Sequence, residues 1–233
     1  MSVQIIAWMA SGFYFALFPI ETIRGEHLVL EEQAIVPTDL EGLIAPDEAW
    51  AVVVASLGGA PTPSGVSVVA RLGQTWYQVS GDSNGESFTR MVNARTGEVL
   101  PFLDADQVAA IAAARLAVPA TGAHIELVTE ARAGSEYRGR TLPLWRVSFS
   151  EPESLRLYID GWTGDIVAQR TARWRIFDFL WMLHIMDFDE RDDFNTGLLQ
   201  VAAALGLVIA LSGLVYWAMS TRLFRRRRHG VSR

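Results

Sequence analysis

From Leu198 to Met219 the sequence is almost purely apolar, interrupted only by Gln200, Ser212 and small residues. As a helix, such a run crosses the ~30 Å hydrocarbon core of a bilayer. Tyr216 and Trp217 stand near its end, where amphipathic rings prefer the headgroup level, and Arg222 and the Arg225–Arg228 run follow at once. A helix buried in a soluble core does not carry an uncharged run of this length beside four consecutive arginines. Clustered arginines next to a span stay cytoplasmic, so 196–219 is expected to be a transmembrane helix and 220–233 a cytoplasmic arginine-rich tail in contact with anionic lipid.

A second uncharged run, Val3 to Ile20, is rich in Ile, Phe, Met and Trp. A cleaved signal peptide is the rival reading. The first basic residue is Arg24, so there is no basic stretch ahead of the apolar run, and no A-x-A cleavage site follows it. Residues 3–20 are therefore expected to be a retained first span, which puts both termini in the cytoplasm and exports roughly Glu21 to Asn195. Both runs carry small residues four apart, Ala7 and Ser11 in the first and Ala202, Gly206 and Ala210 in the second. Such stripes let helices approach closely in lipid, and they also occur in ordinary Ala/Gly-rich spans.

The exported region is a different object. All twenty-six carboxylates of the 233-residue chain lie between Glu21 and Asp193, against fourteen arginines, a net charge of −12; six more arginines lie between Arg222 and Arg233. A region this acidic is a poor nucleic-acid binder, since phosphate contacts need a basic face. There is no cysteine and no lysine. That removes disulfides, thiolate nucleophiles and Cys-ligated metals, together with Schiff-base and P-loop lysines.

Within this region one pattern occurs twice. Asn93-Ala94-Arg95-Thr96-Gly97-Glu98-Val99-Leu100 matches Asp160-Gly161-Trp162-Thr163-Gly164-Asp165-Ile166-Val167, with six of eight positions identical or similar. Each block follows a strand-like run, Phe88–Val92 or Leu155–Ile159. Each reads as a hairpin: Asn93 or Asp160 bonds its own backbone to start the turn, and Gly97 or Gly164 supplies the positive φ that closes it. Upstream of each lies an aromatic strand, Trp76–Val79 or Leu144–Val147. Each half opens with a helix. Pro46-Asp47-Glu48 starts one, with Trp50, Val53, Val54 and Leu57 on one face; Asp104 caps the other, with Val108, Ile111 and Leu116 inward. The expected fold class is α+β: two helix-on-sheet repeats, 21–102 and 103–172, the second with a longer polar loop at Gly134–Thr141, between two transmembrane helices.

The helix–strand–strand unit ending in a D-x-x-T-G-E-hydrophobic hairpin resembles the PepSY domain. Two such units between a first and a last span resemble the PepSY-associated transmembrane family of bacterial inner-membrane proteins. The segment Phe177–Leu199, with His184, Asp187, Phe188 and Gly197, is similar to that family's junction before its last span. Trp8-Met9-Ala10-Ser11-Gly12-Phe13-Tyr14 and Arg24-Gly25-Glu26-His27 fit it as well. Family members usually begin with a basic, histidine-containing stretch, which this sequence lacks. The resemblance implies an inner-membrane protein with a periplasmic tandem domain, and a role in inhibiting or chaperoning peptidases of the envelope.

Candidate site residues are few. His27 follows the first run and His184 precedes the last, so both are expected near the outer face of the membrane. Two neutral imidazoles there can ligate a haem iron, non-covalently since no C-x-x-C-H is present; the bland reading is a solvated His27 and a snorkelling His184. In 173–195, Trp174, Phe177, Trp181, His184 and Phe188 fall on one helical stripe. That spacing predicts an amphipathic helix in the outer interface, and Trp174, Phe177, Trp181 and Phe188 are equally candidates to dock a partner. Asp187, Asp189, Glu190, Asp192 and Asp193 follow as a solvated boundary; they lack the glycine bend and offset glutamate of an EF-hand calcium loop. Gly81-Asp82-Ser83-Asn84-Gly85 matches G-x-S-x-G, but strand-like runs on both sides make it a hairpin turn rather than a nucleophile elbow. His124 begins a strand without an obvious partner, and His229 sits in the tail.

The leading functional expectation is a non-enzymatic binding or regulatory module that recognises an envelope protein or peptide. Two others remain: a haem-binding electron-transfer subunit, for which the resemblance to a family whose larger relatives reduce iron–siderophore complexes implies periplasmic metal or siderophore reduction, and a scaffold of a larger membrane complex. Two spans are few for a transmembrane electron route, so the haem reading implies a second subunit or a homo-oligomer.

Overall fold

The computed structural model describes residues 2–31, 40–71 and 74–221. The arginine-rich tail from Arg222 onward lies outside the described residues. Six α-helices and two antiparallel sheets make up the fold. They divide into two compact units: a helical one over 2–23, 132–138 and 173–221, and an α+β one over 24–131 and 139–172.

The α+β unit contains two helix-on-sheet layers. Helix α3 (Pro46–Leu57) precedes strands β1 (Thr62–Arg71), β2 (Gln74–Ser83) and β3 (Glu86–Asn93), which form one sheet in that order. Pro46 opens α3, where its missing N–H costs nothing, and Glu48 accepts from the Ala45 N–H at 3.1 Å. Ala49 and Val53 of α3 are fully buried against Tyr77, Val79, Val92 and Ala94, with Trp50 and Leu57 packed at the margin. The β2–β3 turn is a two-residue hairpin with Asn84 and Gly85 both at positive φ, as the reading of Gly81–Gly85 requires.

Helix α4 (Ala105–Arg115) precedes β4 (His124–Val128), β5 (Leu144–Ser148), β6 (Arg156–Asp160) and β7 (Ile166–Arg170), which form the second sheet in that order. A reciprocal cap starts α4: Gln107 N–H donates to Asp104 Oδ1 at 2.8 Å, and Asp104 N–H donates to Gln107 Oε1 at 3.0 Å. Val108 and Ala112 bury against Val147, Phe149, Leu155, Leu157 and Ile159. Leu28 and Val29 join this second core from far upstream, held by Leu30 N–H to Arg115 O and Ala117 N–H to Leu28 O.

The two turns after β3 and β6 correspond bond for bond. Asn93 Oδ1 accepts from the N–H groups of Arg95 and Thr96, and Asp160 Oδ1 from those of Trp162 and Thr163. Gly97 and Gly164 donate to the carbonyls of Asn93 and Asp160, at φ 75 and φ 76. Thr96 and Thr163 hydroxyls accept from Glu98 and Asp165 N–H. The chain then returns along β3 through a bridge between Val92 and Val99, and along β6 as β7.

In the helical unit, α6 (Gly197–Ser220) is the one helix among the described residues long and apolar enough to cross a membrane. Thr196 caps it, and its side chains are exposed nearly all round, with Ala202 alone buried. The first run does not form one continuous helix. Helix α1 (Ser2–Leu17) ends before Phe18-Pro19, and a five-residue helix α2 (Ile20–Arg24) begins beyond the break. Pro19 lacks the N–H that would continue the α1 ladder and restricts the residue before it, so the expected Val3–Ile20 helix stops at sixteen residues, roughly 24 Å.

Candidate functional site

Helix α5 (Ala172–Ile185) runs antiparallel to α1. Tyr14 donates its hydroxyl to Arg173 O at 3.1 Å at one end, and Gln4 Nε2 donates to Leu183 O at 3.0 Å at the other. Between them Trp8 Nε1 donates to His184 O at 2.8 Å. The stripe Phe177, Trp181 and His184 lies along α1 rather than facing outward: Phe177 packs on Phe15 with ring centroids 4.8 Å apart, and Phe15 also meets Trp181 and His184. Trp174 is buried under the Arg138 guanidinium. Phe188 lies beyond the helix, which ends at Ile185; Met186 takes φ 57 and the chain turns away. The apolar side chains that α5 leaves exposed are Ile176 and Phe179. Sequence periodicity identified the apolar stripe but not its partner, because α1 supplies a matching apolar surface from 160 residues away.

His184 faces Trp8 and Ser11 of α1. Its Nδ1 lies 2.7 Å from Ser11 Oγ, and Ser11 is fully buried. The Ser11 hydroxyl also lies within donating reach of Trp8 O, at 3.1 Å. When that hydroxyl donates to Trp8 O, the matching tautomer carries its proton on Nδ1 and its lone pair on Nε2. His27 belongs to the other unit. It sits in a 3-10 turn, Glu26–Leu28, with its Nε2 3.8 Å from Glu153 and its side chain half exposed. His124 starts β4 at the sheet end and is exposed.

A charged network closes the other side of α5. Asp178, nearly buried, accepts from Arg138 at 2.7 Å and Arg191 at 2.5 Å. Arg138 reaches Asp192 at 3.3 Å, and Arg175 pairs with Glu136 at 2.6 Å. The polar loop 132–138 thus clamps α5, a role that its composition did not signal. In the acidic run, Asp187 accepts N–H bonds from Asp189, Glu190, Asp192 and Asp193, which hold its carboxyl below the usual carboxylate range. Asp187 organises the loop, and no group of three or more metal-ligating side chains occurs among the described residues.

Two features of the α+β unit were not read from sequence. Arg90 of β3 stacks on Trp162 of the β6–β7 turn, 3.8 Å above the ring. Beside it burial pushes the Asp160 carboxyl up, against the pull of its two backbone donors. Arg71, at the end of β1, is held by Asp165 and by Thr163 O. These contacts tie the first sheet to the turn of the second. The remaining edge of β1 is open: among the described strands it pairs with β2 alone, and residues 62–68 are exposed.

No protein-family model matches the chain. No curated protein matches its sequence, and no solved structure matches its fold.

Proposed function

We propose that this chain is a two-pass inner-membrane protein of the PepSY-associated transmembrane type, whose exported α+β unit is a non-enzymatic module that binds an envelope protein or peptide. The observation that carries this reading is the open, exposed edge of β1, because a sheet edge recognises extended segments through main-chain hydrogen bonds. The matching hydrogen bonds of the turns after β3 and β6 support treating the two helix-on-sheet layers as copies of one PepSY-like unit. For the membrane segments, α1 exposes Val3, Ile6, Met9, Phe13 and Leu17 along one face and carries no charge. It also touches α6, where a Cβ at Gly206 would lie 3.4 Å from Trp8. A short helix that shows an apolar stripe and packs on a spanning helix is accommodated by local thinning of the bilayer. Photo-crosslinkers placed at exposed positions of the α+β unit in native membranes test the module: a discrete adduct with an envelope protein is expected, and its absence at every position removes the reading.

A second reading rests on His184. In the tautomer protonated on Nδ1, its bond to Ser11 orients the ring and leaves Nε2 as a ligand, as outer-shell hydrogen bonds do for metal-bound imidazoles. Haem held there would supply a one-electron centre. A visible spectrum of detergent-purified protein from haem-replete cells, with and without dithionite, decides it: a Soret band lost in His184→Ala supports haem, and a featureless spectrum removes it.

A further inference from the structure

We propose that the outer edge of β1, from Gly65 to Arg71, binds an extended cationic peptide that adds to the first sheet as a further antiparallel or parallel strand. This rests on the binding-module reading and specifies which edge binds and what chemistry it takes.

Open sheet edges are normally guarded by charged side chains, prolines, bulges or short length. The other edges of this unit have such protection. β4 and β7 are five residues each, with Glu126 in one and Arg170 in the other, and β3 is covered by the returning residues 98–100 through Asn93 N–H to Glu98 O and Leu100 N–H to Met91 O. β1 is ten residues long. Its guards, Pro63 and the register shift between Pro63 and Gly65, stand at its beginning. From Gly65 to Ala70 no side chain is charged, and nothing lies within 4 Å of a Cβ built on Gly65. Seven residues of strand offer about 23 Å of outward N–H and C=O groups.

A strand added here alternates its side chains between the two faces. On the α3 face it lies beside Val66 and Val68, which stand opposite Val79 and Tyr77 but remain 38% and 36% exposed. Small apolar residues at alternate positions of the peptide cover that surface. The unit as a whole is acidic. Residues 24–131 and 139–172 carry eighteen carboxylates against nine arginines. The arginines nearest the edge are engaged: Arg71 by Asp165, Arg90 by Trp162 and Arg95 by Glu41 O. Asp82 stands opposite Thr62, at the start of β1. The same charge opposes a second copy of this unit, which would bring two acidic surfaces together, and favours a basic partner.

The test uses the full-length protein in nanodiscs of neutral lipid and a fluorescein-labelled peptide, Arg-Val-Arg-Val-Arg-Val-Arg, read by anisotropy. A second peptide is the same sequence with alternate amides N-methylated, which keeps its charge and removes its ladder donors. The expected result is binding of the first peptide, weakened about tenfold or more by N-methylation and by Val68→Lys, and little changed by Leu127→Lys. Leu127 is an exposed residue of β4, so the second variant adds the same charge to a different edge. Val66→Lys repeats the β1 test should Val68→Lys fold poorly. Equal binding of the N-methylated peptide, or equal losses in Val68→Lys and Leu127→Lys, would reduce the effect to bulk charge and overturn the β1 site. Dissociation of a homodimer by Val68→Lys without loss of peptide would assign the edge to a second copy instead. If neither peptide binds, the cationic-strand site is wrong. A partner adduct from native membranes would then preserve the module reading, and its absence would remove both.

Discussion

Gly97 and Gly164 occupy equivalent turns with nearly the same φ, yet their surroundings differ. A Cβ on Gly97 would meet Ile44 Cδ1 at 3.7 Å, an ordinary contact, whereas one on Gly164 would meet Ile111 Cδ1 at 3.1 Å and Leu103 Cδ1 at 3.4 Å. Left-handed strain alone costs an alanine roughly 1–2 kcal/mol. Gly97→Ala is expected to lose about that much in denaturant unfolding, and Gly164→Ala clearly more, because core atoms must also move. Asp187 carries a pH prediction. Its folded carboxyl titrates below the usual carboxylate value, so the order it contributes is complete above that usual value and is lost as pH falls through the lower, folded one. An NMR titration should show the Asp187 carboxyl and the amides of Asp189, Glu190, Asp192 and Asp193 moving together below the usual midpoint. Asp187→Asn should abolish the step.

Helix α5 is held on one side by α1 and on the other by the loop 132–138, and the two sides make different kinds of contact. Against α1 the contact is aromatic, with one pair of polar side chains, Ser11 and His184, and side-chain-to-backbone bonds from Gln4, Trp8 and Tyr14. Ser11→Ala removes the hydrogen bond to the partly buried His184 Nδ1, a cost of about 0.5–1.5 kcal/mol. Thermal unfolding in micelles measures it. On the other side Asp178 and Asp192 both bind Arg138, but their side chains are 6% and 66% exposed. Removing Asp178 takes the buried carboxylate from both Arg138 and Arg191, so Asp178→Ala should cost about 3–5 kcal/mol. Asp192→Ala, at an exposed pair, should cost about 0–1 kcal/mol. Similar losses in the two variants would mean that the clamp is not what holds α5.

At the scale of the whole chain, the absence of cysteine makes topology directly measurable. Single cysteines at Ser64 and at Arg225 in intact cells should react differently with a membrane-impermeant maleimide: Ser64→Cys before lysis, Arg225→Cys only after it. The reverse pattern would invert the orientation that the arginine run implies. Sequence alone was sufficient for whatever depends on contiguous residues. The uncharged run at 198–219 is long enough for a span whatever surrounds it. The periods of α3 and α4 identify their buried faces, and the Asn93 and Asp160 turns form through bonds three or four residues long. What it did not determine depends on where distant surfaces meet. Pro19 cut the first apolar run, which hydropathy by itself does not register. The stripe through Phe177, Trp181 and His184 is equally suited to lipid, to a partner or to another helix, and only folding selected α1. The open edge of β1 is likewise invisible in a strand's own residues, since an edge is defined by which neighbours are missing from the finished sheet.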